Sequence, residues 1–307
     1  MAEVVIAIPT FRRPKGLARL LDSLAALRTI ADIAVIVADN DGEGRQGFAV
    51  CERYRSQGYR WPLDAVVVAE RGISHNRNAL VARALADPVM RYLVMVDDDE
   101  WVQPQWLDAL LRTQSLFRAD AVEGLVIAVL PDGTKSRDYE GATHDRGASA
   151  PADLLQSTAN VLVTRRALEW LQPPYFDLQF ALSGGEDKDF FTRLKALGAR
   201  FAWSSDAVLY ADVPPSRAGV RWALARAYRV GNTDMRVFLK HRADGTATLR
   251  EIAKIAGALL LSPMMALILL ASPNRRMAAG RTFFRAAGKA AALFGSHYQE
   301  YSVIHGD

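Results

Sequence analysis

Apolar runs alternate with amphipathic segments over the first 130 residues, and this alternation restricts the chain to a few folds. The apolar runs are VVIAIP (4–9), IAVIVA (33–38), AVVVA (65–69) and YLVMV (92–96). Each run is apolar throughout, which is typical of strands buried on both faces of a sheet. Helices are expected between them, one beginning near Pro14 and another around 75–86. The pattern predicts a mostly parallel sheet covered by helices on both sides.

Three consecutive carboxylates, Asp97, Asp98 and Asp99, follow the predicted strand 92–96. Like charges this close repel one another, and each resists losing water. Ligands of open α/β sheets bind at the carboxyl ends of the strands. The triplet is therefore either a solvated turn or a site for a cation.

Polar residues also follow the first two predicted strands and begin a later helix. The first strand ends in PTFRR (9–13), the second ends in ADND (38–41), and RGISHNRNAL (71–80) opens a helix with two cations and two amides. If these segments converge, they provide an aromatic face, hydrogen-bond acceptors and cations beside the carboxylates. Those are the groups needed to hold a base, a ribose and a metal-bridged diphosphate.

The segment SGGEDKDFF (183–191) predicts a helix that starts just after two glycines. Gly184 and Gly185 allow a substrate to approach the backbone closely. Glu186 and Asp187 fall in the first helical turn, where the helix dipole favours ionised carboxylates. An ionised carboxylate in a cleft can accept a hydroxyl proton, although ordinary N-terminal capping also explains acids at this place.

Charge is distributed unevenly along the chain. Residues 213–307 contain 14 Lys/Arg against 5 Asp/Glu, a balance of +9, whereas residues 1–212 contain 24 against 29. Arg217, Arg221, Arg226 and Arg229 would form a broad basic face on a predicted helix. The basic tail indicates an anionic partner such as nucleic acid, anionic lipid or a phosphorylated substrate, and a solvated helix surface is the alternative.

The tail also contains seventeen uncharged residues, 255–271, with Pro263 in the middle, followed by a cationic amphipathic segment. Seventeen residues is the lower limit for a membrane span. A hairpin of core helices is a second interpretation. Peripheral attachment to an anionic membrane is favoured, because the following segment has the pattern of a helix that lies on such a surface. The tail is rich in Ala, Leu and Met, which is closer to the pattern of a membrane-binding segment than to that of a nucleic-acid-binding one, so no nucleic-acid partner is expected.

Several other functions are disfavoured. GEGRQG (42–47) fits G-x-G-x-x-G, but it follows the second predicted strand, and Asp64 opens the next strand where the dinucleotide fingerprint needs an acid at the strand's end. No G-x-x-x-x-G-K-[ST] occurs, which excludes a standard P-loop. The first strand contains no carboxylate, which argues against an aspartyl-phosphate phosphatase.

The expected compartment is reducing, because Cys51 is the single cysteine and cannot form an intrachain disulfide. The N-terminal sequence is interpreted as a first strand, and a secretion signal is not expected.

The motifs IPTFRRP, VADND, GISHNRNAL, LVMVDDDEW, STANVLVTRRAL and SGGEDKDFF, in this order, resemble the motif set of family 2 glycosyltransferases. The resemblance covers residues 4–200 strongly and the tail loosely, and it is nearest to the bacterial exopolysaccharide group, such as the β-glucosyltransferases of succinoglycan assembly. It implies an α/β GT-A fold, a Rossmann-like mostly parallel mixed sheet flanked by helices. It also implies an inverting, metal-dependent hexosyltransferase.

By this resemblance, a nucleotide-sugar donor is bound by residues at the strand ends, namely Pro9, Thr10, Phe11, Arg12, Asp39, Arg77, Asp97 and Asp98. Pro9 and Phe11 would line the uracil pocket, Asp39 would read the uracil edge and Arg77 would brace the nucleotide site. Asp97 and Asp98 would lie by the ribose and the donor sugar.

The resemblance also implies the remaining roles. Asp99 would coordinate Mg²⁺ or Mn²⁺, and Asp187 would be the general base. Glu186, with Gly184 and Gly185, would bind the acceptor. The family tends to have a histidine after the last core strand, where this chain has Tyr210. Two alternatives are open: Asp212 replaces the histidine, or the metal relies on Asp99 and phosphate oxygens.

The expected organisation is a catalytic domain over 1–212, with a nucleotide-binding half (1–100) and an acceptor-binding half (101–212), followed by a membrane-associating tail (213–307). The expected reaction moves glucose or N-acetylglucosamine from a UDP-sugar to a polyprenyl-diphosphate-linked saccharide. This would occur in the cytoplasm, at the inner face of the bacterial inner membrane. A nucleotidyltransferase and an inactive sugar-nucleotide-binding partner are the alternatives.

Overall fold

The computed structural model describes residues 2–137, 139, 145–217, 219–242, 244–268, 272–296 and 298. The strands are β1 (Val4–Thr10), β2 (Ile33–Asp39), β3 (Leu63–Val67), β4 (Tyr92–Val96), β5 (Glu100–Val102), β6 (Ala121–Val129), β7 (Lys135–Ser136), β8 (Ala150–Ala152), β9 (Asn160–Thr164) and β10 (Phe201–Asp212). The α-helices are α1 (Pro14–Ala25), α2 (Gln46–Ser56), α3 (Ile73–Leu85), α4 (Trp106–Phe117), α5 (Arg165–Glu169), α6 (Glu186–Ala196), α7 (Val220–His241), α8 (Gly245–Ile268) and α9 (Pro273–Leu293). Short 3₁₀ helices cover Leu178–Phe180 and Pro215–Arg217. Of the segments predicted from sequence, 255–271 extends into residues outside the described set.

The strands form one mixed sheet in the order β3-β2-β1-β4-β9-β6-β10-β5, with β7 beside β6 and β8 beside β10. The pairs β1–β2, β2–β3, β1–β4 and β6–β10 are parallel. β9 runs antiparallel between β4 and β6, which places its first residue, Asn160, opposite Val96 at the end of β4. The start of β9 therefore lies beside the acidic turn that follows β4.

Both faces of β1 are buried, as its unbroken apolar sequence predicts. Ile6 and Ile8 pack in one hydrophobic cluster with the apolar face of α1, including Leu17. Val5 and Ala7 point to the other side and pack in a second cluster, which includes residues of α3 and α6. Side chains alternate along a strand, so the two clusters cover opposite faces of the sheet.

Two elements differ from the sequence-based expectation. β3 begins at Leu63, two residues before the predicted run, because its pairing with β2 starts at Val35. β5 begins directly after the acidic triplet and pairs antiparallel with β10, so that Trp101 lies opposite Tyr210. A three-residue strand has no usable periodicity, and its pairing with residues a hundred positions later cannot be read from local sequence.

The chain divides into two compact units. The sheet and α1–α6 belong to the first unit, within residues 2–182 and 186–212. The second unit consists of residues 183–185 and the helical region from 213 onward, whose assignment to membrane association stays a prediction.

In the helical unit, α9 packs against both α7 and α8. A Cβ atom at Gly288 of α9 would lie 1.9 Å from the carbonyl oxygen of Tyr228, and one at Gly231 of α7 would lie 1.9 Å from that of Arg285. The two helices therefore approach at backbone distance. The side chain of Asp234 on α7 pairs with Arg285 on α9 at 2.5 Å. Part of the cationic amphipathic segment is thus an interior face of this unit.

We predict that Gly288→Ala destabilises the helical unit by about 1–3 kcal/mol or more, because the added methyl group overpacks the α7–α9 crossing. Gly257→Ala on α8 is the matched control, since a Cβ atom there meets nothing within 4 Å. The control should be neutral or stabilising by about 0.5–1 kcal/mol, the usual gain from replacing a helical glycine by alanine. Urea unfolding followed by circular dichroism measures both; equal stability of the two variants would contradict the close crossing.

Candidate active site

The acidic turn after β4 is tied to the end of β1. The hydroxyl of Thr10 donates to Oδ2 of Asp98 at 2.7 Å, and the backbone N–H of Phe11 lies 3.4 Å from the same oxygen. Nη1 of Arg13 donates to Oδ1 of Asp98 at 3.2 Å and to Oδ2 of Asp99 at 2.7 Å. Arg13 was not among the predicted site residues, although it directly partners two of the three carboxylates.

The negative charge of this turn is nevertheless only partly compensated by its cationic partners. Burial raises the pKa of Asp97 to about 6, against the opposing effect of Arg77. Burial likewise raises the pKa of Asp98, and it raises that of Glu100 well above the ordinary glutamate range. Glu100 accepts a hydrogen bond from the Asp97 N–H at 3.0 Å and closes the turn from β5. A cluster of desolvated carboxylates of this kind would be stabilised by additional positive charge.

Arg77 on α3 connects the acidic turn to the start of α6. Its guanidinium is buried, and Nη1 donates to Oε1 of Glu186 and, at 2.5 Å, to Oδ1 of Asp187. Nη2 lies 3.5 Å from Oδ1 of Asp97. The carboxylate of Asp97, after β4, and those of Glu186 and Asp187, at the start of α6, therefore converge on one guanidinium.

Asp187 and Glu186 are adjacent but have different environments. Oδ1 of Asp187 also accepts from the Thr158 hydroxyl at 2.8 Å, no described residue donates to Oδ2, and the side chain is 21% exposed. Glu186 is buried, and its Oε2 has no partner among the described residues. Burial and the neighbouring Asp187 raise the pKa of Glu186 to about 8, with Arg77 opposing. Asp187 thus has one oxygen fixed by two donors and one oxygen open to a further partner.

The segment after β1 presents an aromatic ring between two cations. The guanidinium of Arg12 lies 5.1 Å from the ring centroid of Phe11, and that of Arg71 lies 5.0 Å from it. Arg12 has φ of 55°, an uncommon value for a residue with a side chain, and its Nη2 donates to Oδ1 of Asp41 at 3.2 Å. Pro9, predicted to line the base pocket, is buried within β1.

Asp39 at the end of β2 is fully buried, and both carboxylate oxygens have backbone partners. Oδ1 accepts from the Asp41 N–H at 3.0 Å, and Oδ2 accepts from the Phe48 N–H at 2.9 Å. Gly47 packs so closely against the end of β1 that a Cβ atom added to it would lie 2.5 Å from Cγ2 of Thr10. The GEGRQG segment therefore lies between the two residues, Asp41 and Phe48, whose backbone N–H groups bind Asp39. The contact of Asp39 with a base stays a prediction.

The two glycines before α6 adopt backbone conformations that favour glycine. Gly184 and Gly185 have φ of 75° and 100°, a region that residues with side chains rarely adopt. Thr158 and Asn76 also belong to the site but were not predicted. Asn76 donates to the Ala38 carbonyl at 2.9 Å, and its buried Oδ1 has no partner among the described residues. Both residues lie within motifs quoted for the resemblance, GISHNRNAL and STANVLVTRRAL, but their contacts join segments far apart in sequence, so no role was assigned to them.

The comparison with protein families decides the classification. The family model described as Glycosyl transferase family 2 matches residues 5–172. The chain belongs to this family. A curated relative, the succinoglycan biosynthesis protein ExoM of Rhizobium meliloti (strain 1021), is 35% identical over 262 residues, covering 82% of this chain and 80% of the relative.

Solved structures of other proteins share the fold of this family 2 glycosyltransferase. The mannosyltransferase PcManGT from Pyrobaculum calidifontis, in complex with GDP-Man and Mn²⁺, aligns with a TM-score of 0.64 at 16% identity over 96% of this chain and 88% of that one. S. aureus TarS 1-349 in complex with UDP aligns with a TM-score of 0.54 at 16% identity over 97% and 93%. The TarS complex with UDP-GlcNAc gives 0.53, at the same identity and coverage. The predicted GT-A fold is confirmed.

Tyr210, where the family tends to have a histidine, is packed within a stack of side chains. Its ring stacks on Trp101 with centroids 5.5 Å apart, and Nζ of Lys135 lies 4.5 Å from its ring centroid. The Tyr210 hydroxyl accepts from the side-chain amide of Gln103 at 2.8 Å. Asp212, the suggested replacement ligand, pairs with Arg19 at 2.5 Å. Both side chains therefore have structural partners in this family 2 member.

We predict that Glu186→Gln removes part of the pH dependence of stability. The folded-state pKa of Glu186, about 8, is above its ordinary value of 4.5, so the folded protein binds more protons between these values. Stability from this residue is therefore fully present below about pH 4.5 and decreases as pH rises toward 8. Urea unfolding at a series of pH values should show a flatter profile for the variant.

Glu43→Gln, in an exposed loop, is the matched control for this experiment and should keep the wild-type profile. Identical profiles for Glu186→Gln and the wild type would contradict the assigned environment of Glu186.

Proposed function

We propose that this family 2 glycosyltransferase moves a sugar, glucose or N-acetylglucosamine, from a UDP-sugar to a polyprenyl-diphosphate-linked saccharide during bacterial exopolysaccharide synthesis. The observation that supports this most strongly is the arrangement of Asp187 and the acidic turn around Arg77. The relative in succinoglycan biosynthesis supports the pathway class, and the TarS complexes support a uridine nucleotide. The site is proposed to work in the cytoplasm at the inner face of the inner membrane.

Asp187 is the proposed general base. Arg77 and Thr158 fix Oδ1, so Oδ2 can accept the proton of an acceptor hydroxyl. The deprotonated oxygen would attack the anomeric carbon from the face opposite the diphosphate, which inverts the configuration in a single displacement. Glu186, with Gly184 and Gly185 before it, would bind the acceptor, because its unpartnered Oε2 can donate or accept one further hydrogen bond.

The donor would be bound along the strand ends. Phe11, Pro9, Thr10 and Arg12 are proposed to contact the uracil and the nucleotide phosphates, with Asp39 at the base edge. Arg77, Asp97 and Asp98 are proposed to face the ribose and the donor sugar. The flanking cations of Phe11 suit a ring that lies beside phosphate charge.

The acidic turn fits a divalent cation of the Mg²⁺ or Mn²⁺ type. Its donors are carboxylate oxygens, which such hard cations prefer, and Asp99 is 32% exposed and therefore accessible. Among the described residues, no group of three or more His, Cys, Asp or Glu is arranged to hold a metal alone. Such cations commonly take one or two carboxylates plus substrate phosphates, so Asp99 together with a diphosphate is sufficient. A bound cation would stabilise the leaving diphosphate as a Lewis acid.

We predict that Asp187→Asn lowers the rate of sugar transfer by about 10²–10⁴, because the amide cannot accept the proton, while donor affinity is retained. Transfer is measured as nucleotide release in the presence of acceptor, and affinity by calorimetry with the donor. Asp132→Asn, in the exposed turn after β6, is the control and should behave as wild type. Full activity of Asp187→Asn would remove Asp187 from the mechanism.

We predict that UDP and Mn²⁺ together raise the melting temperature more than either does alone, because each completes the binding site of the other. At ligand concentrations about 100 times Kd the stabilisation is about 2.7 kcal/mol. Asp99→Ala should abolish the Mn²⁺-dependent part of the shift and keep the part due to UDP alone. An unchanged Mn²⁺ effect in this variant would show that the cation binds elsewhere.

The tail is proposed to attach the enzyme peripherally to an anionic membrane. Of the helices that the structure describes, α8 (Gly245–Ile268) is long and apolar enough to cross a membrane, by length and composition only, and 11% of its most apolar window is buried. Leu260, Leu261, Met264 and Met265 are exposed on it. Residues 255–268 continue one helix with few buried residues, which differs from a buried hairpin. Exposed apolar side chains grouped on one helix support contact with a membrane.

We predict that Leu261→Gln/Met265→Gln reduces flotation with anionic vesicles at least about tenfold, because burial of each side chain contributes about 1.5–3 kcal/mol. Leu116→Gln is the matched control, since Leu116 is an exposed leucine on α4. Equal flotation of all three proteins would exclude α8 from membrane attachment.

A further inference from the structure

A polar cavity lies in the sheet-containing unit, away from the candidate active site. Its volume is about 470 Å³, and five arginines, Arg91, Arg118, Arg165, Arg166 and Arg200, line it with a single carboxylate, Asp120. Tyr92 and Thr164, a cross-strand pair of β4 and β9, also line it. The opposite end of the same two strands is the Val96–Asn160 pair beside the acidic turn. At about 3.3 Å per residue, the strand separates the two places by roughly 13 Å.

The positive charge of this cavity exceeds what its carboxylates neutralise. Asp120 is almost fully buried and accepts from Arg166, and Nε of Arg200 lies 3.9 Å from its Oδ2. Arg91 pairs with Glu3 at 3.1 Å and Arg165 with Glu169 at 2.6 Å. Arg118 makes no ion pair within the described part of the chain. Within the lining of the cavity, five guanidiniums thus face the single carboxylate of Asp120, whereas Glu3, Glu169 and Asp87 interact with Arg91 and Arg165 from outside it.

These arginines also retain hydrogen-bonding capacity toward a ligand. Each guanidinium has five N–H donors, and a single carboxylate contact uses only one or two of them. The side chains of Arg91, Arg166 and Arg200 are 69%, 60% and 56% exposed. The cluster is assembled from separate segments, at the start of β4, the end of α4, the start of α5 and the start of β10.

Helix dipoles account for the positions of only some of these arginines. Arg118 follows the last turn of α4, where the helix dipole favours a cation. Arg91 and Arg200 precede strands, and α5, which contains Arg165 and Arg166, is a single turn of five residues. Helix dipoles therefore do not account for the convergence of the five arginines at one cavity.

We propose that this cavity binds an anionic ligand through phosphate groups, of the diphosphate class, at a site separate from the donor site. Planar guanidiniums match phosphate oxygens in bidentate geometry. A ligand with two or more negative charges offsets more of this positive charge than a monoanion does. A free small anion and the headgroup of a membrane lipid present the same chemistry, and vesicle binding distinguishes them.

The test is calorimetric titration of the full chain with inorganic diphosphate in metal-free buffer containing EDTA, which suppresses metal-dependent binding at the acidic turn. The wild type should bind diphosphate, with acetate as the monoanion comparison. Arg118→Gln/Arg200→Gln should raise the Kd about tenfold or more, because two charge-assisted contacts are lost. Arg112→Gln is the matched control, an exposed arginine of α4 that does not line the cavity.

Two further arms keep the test decisive. Arg118→Lys/Arg200→Lys retains the charge and should bind diphosphate with intermediate affinity, which separates loss of the ligand site from loss of folding.

Flotation with anionic and zwitterionic vesicles identifies the source of the phosphate group. The site is assigned to lipid headgroups if the wild type binds anionic vesicles but not diphosphate and the Gln variant loses vesicle binding. If the wild type binds neither, or the Gln variant binds both as the wild type does, the proposal is overturned. Sugar transfer is not measured in any arm, so the result is independent of the proposed function.

Discussion

The buried guanidinium of Arg77 is the interaction on which the candidate active site depends. An arginine remains charged even when it is removed from water, so it requires anionic partners in the interior. Asp187 at the start of α6 and Asp97 after β4 provide them, and Glu186, whose pKa burial raises to about 8, accepts a further hydrogen bond from the guanidinium. Breaking a buried ion pair by removing one partner typically costs about 3–5 kcal/mol, so the arrangement resists change. Arg77 therefore determines where the first turn of α6 lies relative to the acidic turn.

The same argument explains how three adjacent aspartates can follow a buried strand. Each has partners from other segments: Asp97 has Arg77, Asp98 has Thr10 and Arg13, and Asp99 has Arg13. The compensation is incomplete, because burial still raises the pKa of Asp97 and Asp98. A site that is stable but short of positive charge is suited to take up a cation with its substrate.

The sequence predicted the elements whose burial follows a regular pattern. β1 and β4 are apolar on both faces, and α1 buries Leu17 with its neighbours at helical spacing, so periodicity alone locates them. β5 was missed because it is three residues long and exists through its pairing with β10.

Within the site, the ordered motifs located Asp187 and the acidic turn, whereas Arg13 and Thr158 were missed. Both lie within the quoted motifs, but their roles come from contacts with residues about 85 and 29 positions away, and the motifs do not show those partners. The cavity lined by five arginines was missed for the same reason, because its members are dispersed between residues 91 and 200. Periodicity reports burial within an element, and only the folded chain shows which separate elements meet.

The central claim is that the acidic turn and the start of α6 form one metal-dependent site for a UDP-sugar. The most direct measurement is nucleotide release over a panel of UDP-, GDP-, ADP- and CMP-sugars, with and without Mn²⁺, in the presence of bacterial polyprenyl-linked saccharides. The account predicts release from a UDP-sugar that requires the cation and the acceptor. Release from none of the panel, or equal release in EDTA, would contradict it.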